Sequence, residues 1–114
     1  MPRDRAYLVD ILEAAKLARH YVQRKSLDDF IADMQCQDAV VRRLAVIGEA
    51  ARRVSETART ELSGLPWQDM IAMRNFLIHE YDDIDMSIVW ETVQGHLPGL
   101  INALEEILGP EGVS

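Results

Sequence analysis

The sequence predicts an all-α protein, a bundle of four main helices and one short helix with a proline-kinked last helix. Apolar residues recur at helical spacing along nearly the whole chain, and no stretch alternates with period two as a half-buried strand would. With 114 residues, 48% hydrophobic and 27% charged, the chain 1–114 has the size and composition of one domain that buries a core. Composition therefore excludes disordered, collagen-like and disulfide-scaffold proteins.

The first predicted helix covers residues 5–24, because its apolar side chains fall on one helical stripe that ends at a polar segment. Ser26 and Asp29 follow at once and have the spacing of a capping box. A short second helix is therefore expected from residue 27 to about residue 34.

The third predicted helix is long. After a pause over residues 35–37, apolar residues at helical spacing set a stripe that continues to about residue 59. Gly48 lies on this stripe, where a missing side chain would let a neighbouring helix approach closely. Glu49 and Glu56 are spaced to pair with arginines one turn further along the helix.

The second half of the chain contains the two remaining main helices. A break over residues 62–66 precedes the fourth helix, which should run from Trp67 to residue 80 or 81. A turn follows, and Asp85 is the expected N-cap of the last helix. Pro98 has no backbone donor, so it should kink or split that helix.

The charge is distributed unevenly. The net charge is −7, yet residues 1–79 carry all 12 Lys and Arg against 11 acids, and residues 80–114 carry 8 acids and no Lys or Arg. This balance argues against a protein that grips nucleic acid through a general basic surface. The single Cys36 cannot form a disulfide within the chain, and no stretch resembles a membrane span or a signal peptide, so we expect a cytoplasmic protein.

An arginine interrupts the apolar stripe of the fourth predicted helix. The stripe consists of Trp67, Met70, Ile71, Leu77, Ile78 and Tyr81. Arg74 lies on the same face. Because burying an unpaired guanidinium is costly, Arg74 should meet a carboxylate or backbone carbonyls, or the stripe should open there onto a cleft or a second subunit. Its position alone leaves a structural and a functional arginine equally open.

Four groups suited to phosphate chemistry cluster around this position, namely Arg74, Asn75, His79 and Tyr81. Asn75 and His79 are i, i+4 neighbours, whereas Arg74 and His79 point about 140° apart on a regular helix. One helix cannot easily aim both groups at the same phosphate. A two-fold dimer could, because each Arg74 would then approach the partner's His79.

Residues 74–81, Arg-Asn-Phe-Leu-Ile-His-Glu-Tyr, resemble the R-x4-H-x-Y motif of the HepT-type toxins in the HEPN superfamily. The similarity extends to residues 38–40 and 47–50 of the third helix and to residues 66–67 and 84–90, so it covers nearly the whole chain. The resemblance implies one HEPN-like helical domain. It also implies a homodimeric endoribonuclease that needs no metal and no cofactor.

The same resemblance implies the roles of the motif residues. Arg74 and His79 of both subunits would line one cleft and catalyse attack of the ribose 2′-hydroxyl on the adjacent phosphate, and Asn75 would orient the site. In toxin–antitoxin pairs of this type the partner is a minimal nucleotidyltransferase. This antitoxin would silence the toxin by transferring AMP to Tyr81.

The third helix is the most basic element, with Arg42, Arg43, Arg52 and Arg53. These arginines form either a solvated face or supporting contacts to RNA phosphates. Two other functions remain open. One is a non-catalytic HEPN module that binds a nucleotide or the nucleotidyltransferase partner, and the other is a structural bundle in which intrachain carboxylates saturate Arg74.

Overall fold

The structure of the chain, a computed structural model, describes residues 2–79 and 83–109. Within these residues the backbone forms seven α-helices and one π-helical turn, and no strand. In chain order they are α1 (Pro2–Tyr21), α2 (Leu27–Ile31), α3 (Met34–Arg53), α4 (Glu56–Glu61), α5 (Trp67–His79), α6 (Met86–Glu91), the π-helical turn (Thr92–His96) and α7 (Leu97–Leu108). The predicted all-α class is confirmed.

The third helix ends earlier than expected, so the predicted end near residue 59 is wrong. Val54 leaves the helical region, and Ser55 starts the short helix α4 with its Oγ accepting from the Ala58 N–H at 3.1 Å. Asp4 of α1 reaches across and accepts from the Ser55 N–H at 2.8 Å and from its hydroxyl at 2.7 Å. These hydrogen bonds lower the pKa of the buried Asp4 carboxyl, and the bond from the Ser55 N–H has the larger effect.

Side-chain caps set the boundaries around α2. The predicted capping box is confirmed, because the Ser26 Oγ accepts from the Asp29 N–H at 3.1 Å and the Asp29 carboxylate accepts from the Ser26 N–H at 3.0 Å. The expected pause over residues 35–37 is wrong. Asp33 accepts from the Cys36 N–H at 3.0 Å and caps α3 from residue 34 onward, so α2 ends at residue 31.

The last helix is split, as the proline predicted. Asp85 caps α6 by accepting from the Ser87 N–H at 2.9 Å. The chain then widens into the π-helical turn, in which the Leu97 N–H donates to the Thr92 carbonyl five residues earlier. The irregular turn ends at His96, two residues before Pro98, whose ring and missing donor disfavour a continuous α-helical ladder.

The core lies between α3 and its neighbours. α1 packs along α3 and also against α7, and α5 packs chiefly against α3. Fully buried side chains come from α1, α2, α3, α5 and the last helix, among them Ile11, Leu12, Phe30, Val40, Leu77, Val89 and Leu104. None of the described helices is long and apolar enough to cross a membrane.

The stripe of α5 is only partly buried. Trp67, Met70 and Leu77 are buried as predicted, but Ile71 is half-buried and Ile78 is 47% exposed. The stripe therefore does not pack into the core along its whole length. In the described part of the chain α3 is the main packing partner of α5, so the edge of α5 that carries Ile78 is left open.

Candidate active site

Arg74 lies where α5 crosses α3 at very short range. A Cβ atom added to Gly48 of α3 would lie 2.1 Å from the Arg74 Cβ and 2.7 Å from the Met70 carbonyl oxygen. Only glycine leaves room for this contact, as the missing side chain on the α3 stripe suggested. The crossing places the first atoms of the Arg74 side chain directly on the α3 backbone.

The Arg74 guanidinium meets a carboxylate of α3. Its Nε lies 3.3 Å from the Glu49 Oε2, and its Nη1 donates to the Asn75 Oδ1 at 3.2 Å. Within residues 2–79 and 83–109, no other carboxylate lies within 4.0 Å of this guanidinium. The side chain is 29% exposed. Arg74 is therefore held on one side by an ion pair and is not saturated by the described carboxylates.

Glu49 gathers two further arginines. Its Oε1 accepts from the Arg52 Nη2 at 2.8 Å and from the Arg53 Nε at 3.1 Å. The hydrogen bonds from Arg52 and Arg53, and the charges of Arg52 and Arg74, hold the pKa of the Glu49 carboxyl below its usual value. Three guanidinium groups share one carboxylate, so the cluster keeps a positive charge.

A cleft of about 370 Å³ opens beside this cluster, between α1, α3 and α5. Its charged and aromatic lining consists of Tyr7, Asp10, Arg42, Glu49, Arg53 and Arg74. The three arginines outnumber the two acids. The volume falls within the range of small-ligand sites, and a net positive lining favours an anionic group such as a phosphate.

His79 lies outside this cleft. It is exposed at the last position of α5, about 140° around the helix and about 7.5 Å along its axis from Arg74. Asn75 lies between them. Its side-chain oxygen accepts a hydrogen bond from Arg74, and it stands one helical turn before His79. The structure thus joins Arg74 to Asn75 and does not bring Arg74 and His79 together within one chain. Tyr81 lies outside the described residues.

The structure separates the four arginines of the third predicted helix, which the sequence leaves open as a solvated face or as contacts to RNA phosphates. Arg42 and Arg53 line the cleft. Arg52 is exposed beside the cleft and donates a hydrogen bond to Glu49. Arg43 does not line the cleft and is half-buried. Among the described residues, no group of three or more His, Cys, Asp or Glu is placed to hold a metal ion.

Two parts of the site do not follow from the sequence. The spacing of Glu49 predicts ion pairs with arginines of its own helix but not its contact with Arg74, and no pattern places Tyr7 and Asp10 of α1 in the cleft. A signal for the first was present, since Glu49 follows the small Gly48 that admits α5. The contribution of α1 depends on tertiary packing and had no local signal.

Comparison with known proteins decides the family. The family model described as ribonuclease HepT-like matches residues 11–107. The chain belongs to this family. A "probable ribonuclease HepT" of Thermococcus cleftensis is 35% identical over 101 residues, which are 89% of this HepT-like chain and 92% of the relative.

Other HepT-like relatives match over similar lengths. A proposed RNase of Caldanaerobacter subterraneus subsp. tengcongensis is 36% identical over 111 residues, which are 97% of this chain and 99% of the relative. A proposed RNase of Methanocaldococcus jannaschii is 38% identical over 104 residues, which are 91% of this chain and 86% of the relative. No solved structure gives a significant match. The family resemblance of residues 74–81 and their flanks is thus confirmed over nearly the whole chain.

Proposed function

We propose that this member of a ribonuclease family is a cytoplasmic, metal-independent endoribonuclease toxin whose active site is shared between the two subunits of a homodimer. The observation that carries the proposal is the placement of Arg74 and His79 on one helix. Arg74 turns into the cleft beside Glu49, and His79 is exposed about 140° away. Two subunits facing each other across α5 would bring one subunit's Arg74 to the partner's His79.

In the chemistry proposed for this site, the nucleophile is a 2′-hydroxyl of the RNA strand that is cleaved. The ribose 2′-oxygen attacks the adjacent phosphorus, the P–O2′ bond forms, and the P–O5′ bond breaks to leave a cyclic phosphate and a 5′-hydroxyl. His79 accepts the 2′-hydroxyl proton, and the 5′-oxygen takes a proton from water. Arg74 stabilises the charge that develops on the phosphorane oxygens.

The contacts around Arg74 support this role. Glu49 holds the guanidinium through Nε and Asn75 holds Nη1, so the fork is oriented before a substrate arrives. We assign Asn75 as a positioning residue on this ground. Arg42 and Arg53 widen the positive lining of the cleft for the flanking phosphates, and Arg43 and Arg52 would contact phosphates beyond it.

A mixed-subunit experiment tests the shared site. Arg74→Ala and His79→Ala proteins should each be inactive, but after unfolding and refolding together they should recover about a quarter of the wild-type cleavage rate. Random mixing makes half of the dimers mixed, and each mixed dimer has one of its two Arg74–His79 pairs intact. The measurement is the initial rate on single-stranded RNA in the presence of a chelator.

The control is each variant refolded with itself, which should recover no activity. Inactive mixtures of folded dimers would show that Arg74 and His79 act within one chain, against the shared site. If the wild-type protein leaves RNA intact but binds a nucleotide or a nucleotidyltransferase, the non-catalytic module is the better description. A wild-type protein that runs as a monomer at micromolar concentration would also contradict the shared site.

The proposed antitoxin is a minimal nucleotidyltransferase that transfers AMP to Tyr81, two residues after His79. The phenolic oxygen would attack the α-phosphate of ATP and release pyrophosphate. The resulting anionic adduct would compete with RNA for the arginines of the cleft. We expect peptides containing Tyr81 to gain one or more adenylyl groups when the protein is produced with the transferase, as read by mass spectrometry.

Tyr81→Phe is the matched control, because it keeps the ring and removes the acceptor oxygen. It should gain no adduct and should stay active in the presence of the transferase. An adduct that persists in Tyr81→Phe, or inactivation of this variant by the transferase, would contradict Tyr81 as the modified residue.

A further inference from the structure

A second cationic cavity lies at the C-terminal end of α1. It is separate from the cleft of about 370 Å³ beside Arg74 and Glu49, which we call the Arg74 cleft. It has a volume of about 410 Å³ and is lined chiefly by Lys16, Arg19, His20, Arg24, Lys25 and Gln94, which we call the α1-end pocket. Among residues 2–79 and 83–109, no acidic side chain lines it. Residues 14–27 carry four Lys and Arg and no acid, although the chain as a whole has a charge of −7. The Arg74 cleft, in contrast, contains two acids.

The two lysines of the α1-end pocket are neutralised, but its two arginines are not. The Lys16 Nζ pairs with Glu105 at 3.0 Å, and the Lys25 Nζ pairs with Asp33 at 3.1 Å. Arg19 donates through Nη1 to the neutral Gln94. In residues 2–79 and 83–109, no carboxylate lies within 4.0 Å of the guanidinium of Arg19 or Arg24. Two guanidinium charges are therefore left for a ligand.

Two irregularities of the backbone build this pocket. Gln94, which holds Arg19, sits in the π-helical turn, a rare widening that occurs frequently at functional sites. Arg24 has a φ of 65°, the left-handed region that glycine adopts with less strain.

We infer that the α1-end pocket binds the sugar–phosphate backbone of an RNA strand at a distance from the scissile phosphate. The inference rests on the proposed ribonuclease function and adds a substrate contact to it. The guanidinium fork fits two phosphate oxygens, and Gln94 orients one fork without neutralising it. Because the chain is acidic overall, RNA needs local positive sites to bind at all.

The position of the α1-end pocket defines the length of RNA that it serves. Asp10 lines the Arg74 cleft, and His20 follows ten residues later on the same helix, about 15 Å along its axis and on another face. A strand held in both places must span several nucleotides. A dinucleotide in the cleft cannot reach the α1-end pocket.

The test compares long and short substrates in Arg24→Gly and Arg19→Gln variants. In a His79→Ala background, which permits binding without turnover, each variant should weaken the binding of a single-stranded RNA of about 12 nucleotides by about fivefold and lower the salt slope by about 0.7. In the otherwise wild-type protein, each variant should leave cleavage of a dinucleotide unchanged. Arg24→Gly should melt no lower than wild type, because glycine relieves the left-handed strain.

Arg3→Ala is the charge-matched control, because Arg3 is exposed at the other end of α1. It should leave the affinity for the 12-nucleotide RNA unchanged. If Arg3→Ala and Arg24→Gly lose equal affinity for this RNA, the effect is one of general charge and the inference is overturned. Wild-type affinity in Arg24→Gly would also overturn it. If Arg24→Gly loses the binding of ADP or inorganic phosphate but still binds RNA as wild type does, the pocket belongs to a free phosphate ligand and the RNA contact is overturned.

The two proposals fail separately. If the wild-type protein cleaves neither RNA while Arg24→Gly still weakens binding of the 12-nucleotide RNA, the α1-end contact stands and the catalytic proposal is wrong. If RNA is cleaved and Arg24→Gly binds as wild type, the catalytic proposal stands and the α1-end contact is wrong.

Discussion

Replacing His79 with alanine is expected to slow RNA cleavage by about 10²–10⁴-fold, the usual contribution of a general acid or base. The fold should be unaffected, because His79 is exposed at the end of α5 and none of the described contacts that hold the bundle involves it. Cleavage is measured as the initial rate on single-stranded RNA with a chelator present. Thermal melting of the same preparation shows that the variant is folded.

His96→Ala is the matched control for this experiment. His96 is exposed, lies in the π-helical turn and makes no side-chain cap hydrogen bond, so its loss should change neither the rate nor the melting temperature. Arg74→Ala should lose cleavage to a similar extent, since it removes the charge that stabilises the phosphorane. Wild-type rates in either His79→Ala or Arg74→Ala would refute the assigned catalytic pair.

Among the described glycines, Gly48 is the one whose change to alanine is expected to destabilise the bundle most. The new Cβ would lie 2.1 Å from the Arg74 Cβ, so the backbones of α3 and α5 must separate. Overpacking of this kind costs about 3 kcal/mol or more of the free energy of unfolding, which lowers the melting temperature by roughly 10–15 °C. Because Arg74 moves with α5, cleavage should also fall.

Gly99→Ala is the matched control, since Gly99 lies in α7 and, its neighbours along the helix aside, a Cβ there would meet no atom of the described residues within 4 Å. It should be neutral or stabilise the protein by up to about 1 kcal/mol, because alanine is the better helix former. Urea unfolding of the two variants beside wild type gives both values. A Gly48→Ala protein as stable as Gly99→Ala would contradict the close crossing of α3 and α5.

The helical boundaries show how far local signals reach. The capping box of Ser26 and Asp29 and the N-cap at Asp85 were predictable, because each acts within three residues. The end of α3 was not. Val54 stops the helix in favour of a cap at Ser55, which Asp4 holds from 51 residues away. A stripe of apolar residues alone could not reveal that break.

The candidate site divides in the same way. The spacing of Arg74, Asn75 and His79 was readable from the sequence, including the angle that separates Arg74 from His79. The exposure of Ile78 could not be predicted from the sequence, because it depends on which sides of α5 other helices cover. Nor could the sequence show that three arginines share the carboxylate of Glu49.

By itself the sequence determined the helical class, the caps at Ser26 and Asp85, the motif of residues 74–81 and the glycine that admits α5, because spacing and capping act within a few residues. Only the tertiary structure decided which carboxylate Arg74 meets and which α1 side chains complete its cleft. It alone joined Arg19 to Gln94 in a second cationic pocket. These contacts join residues 25 to 75 positions apart, so they exist only after the helices pack.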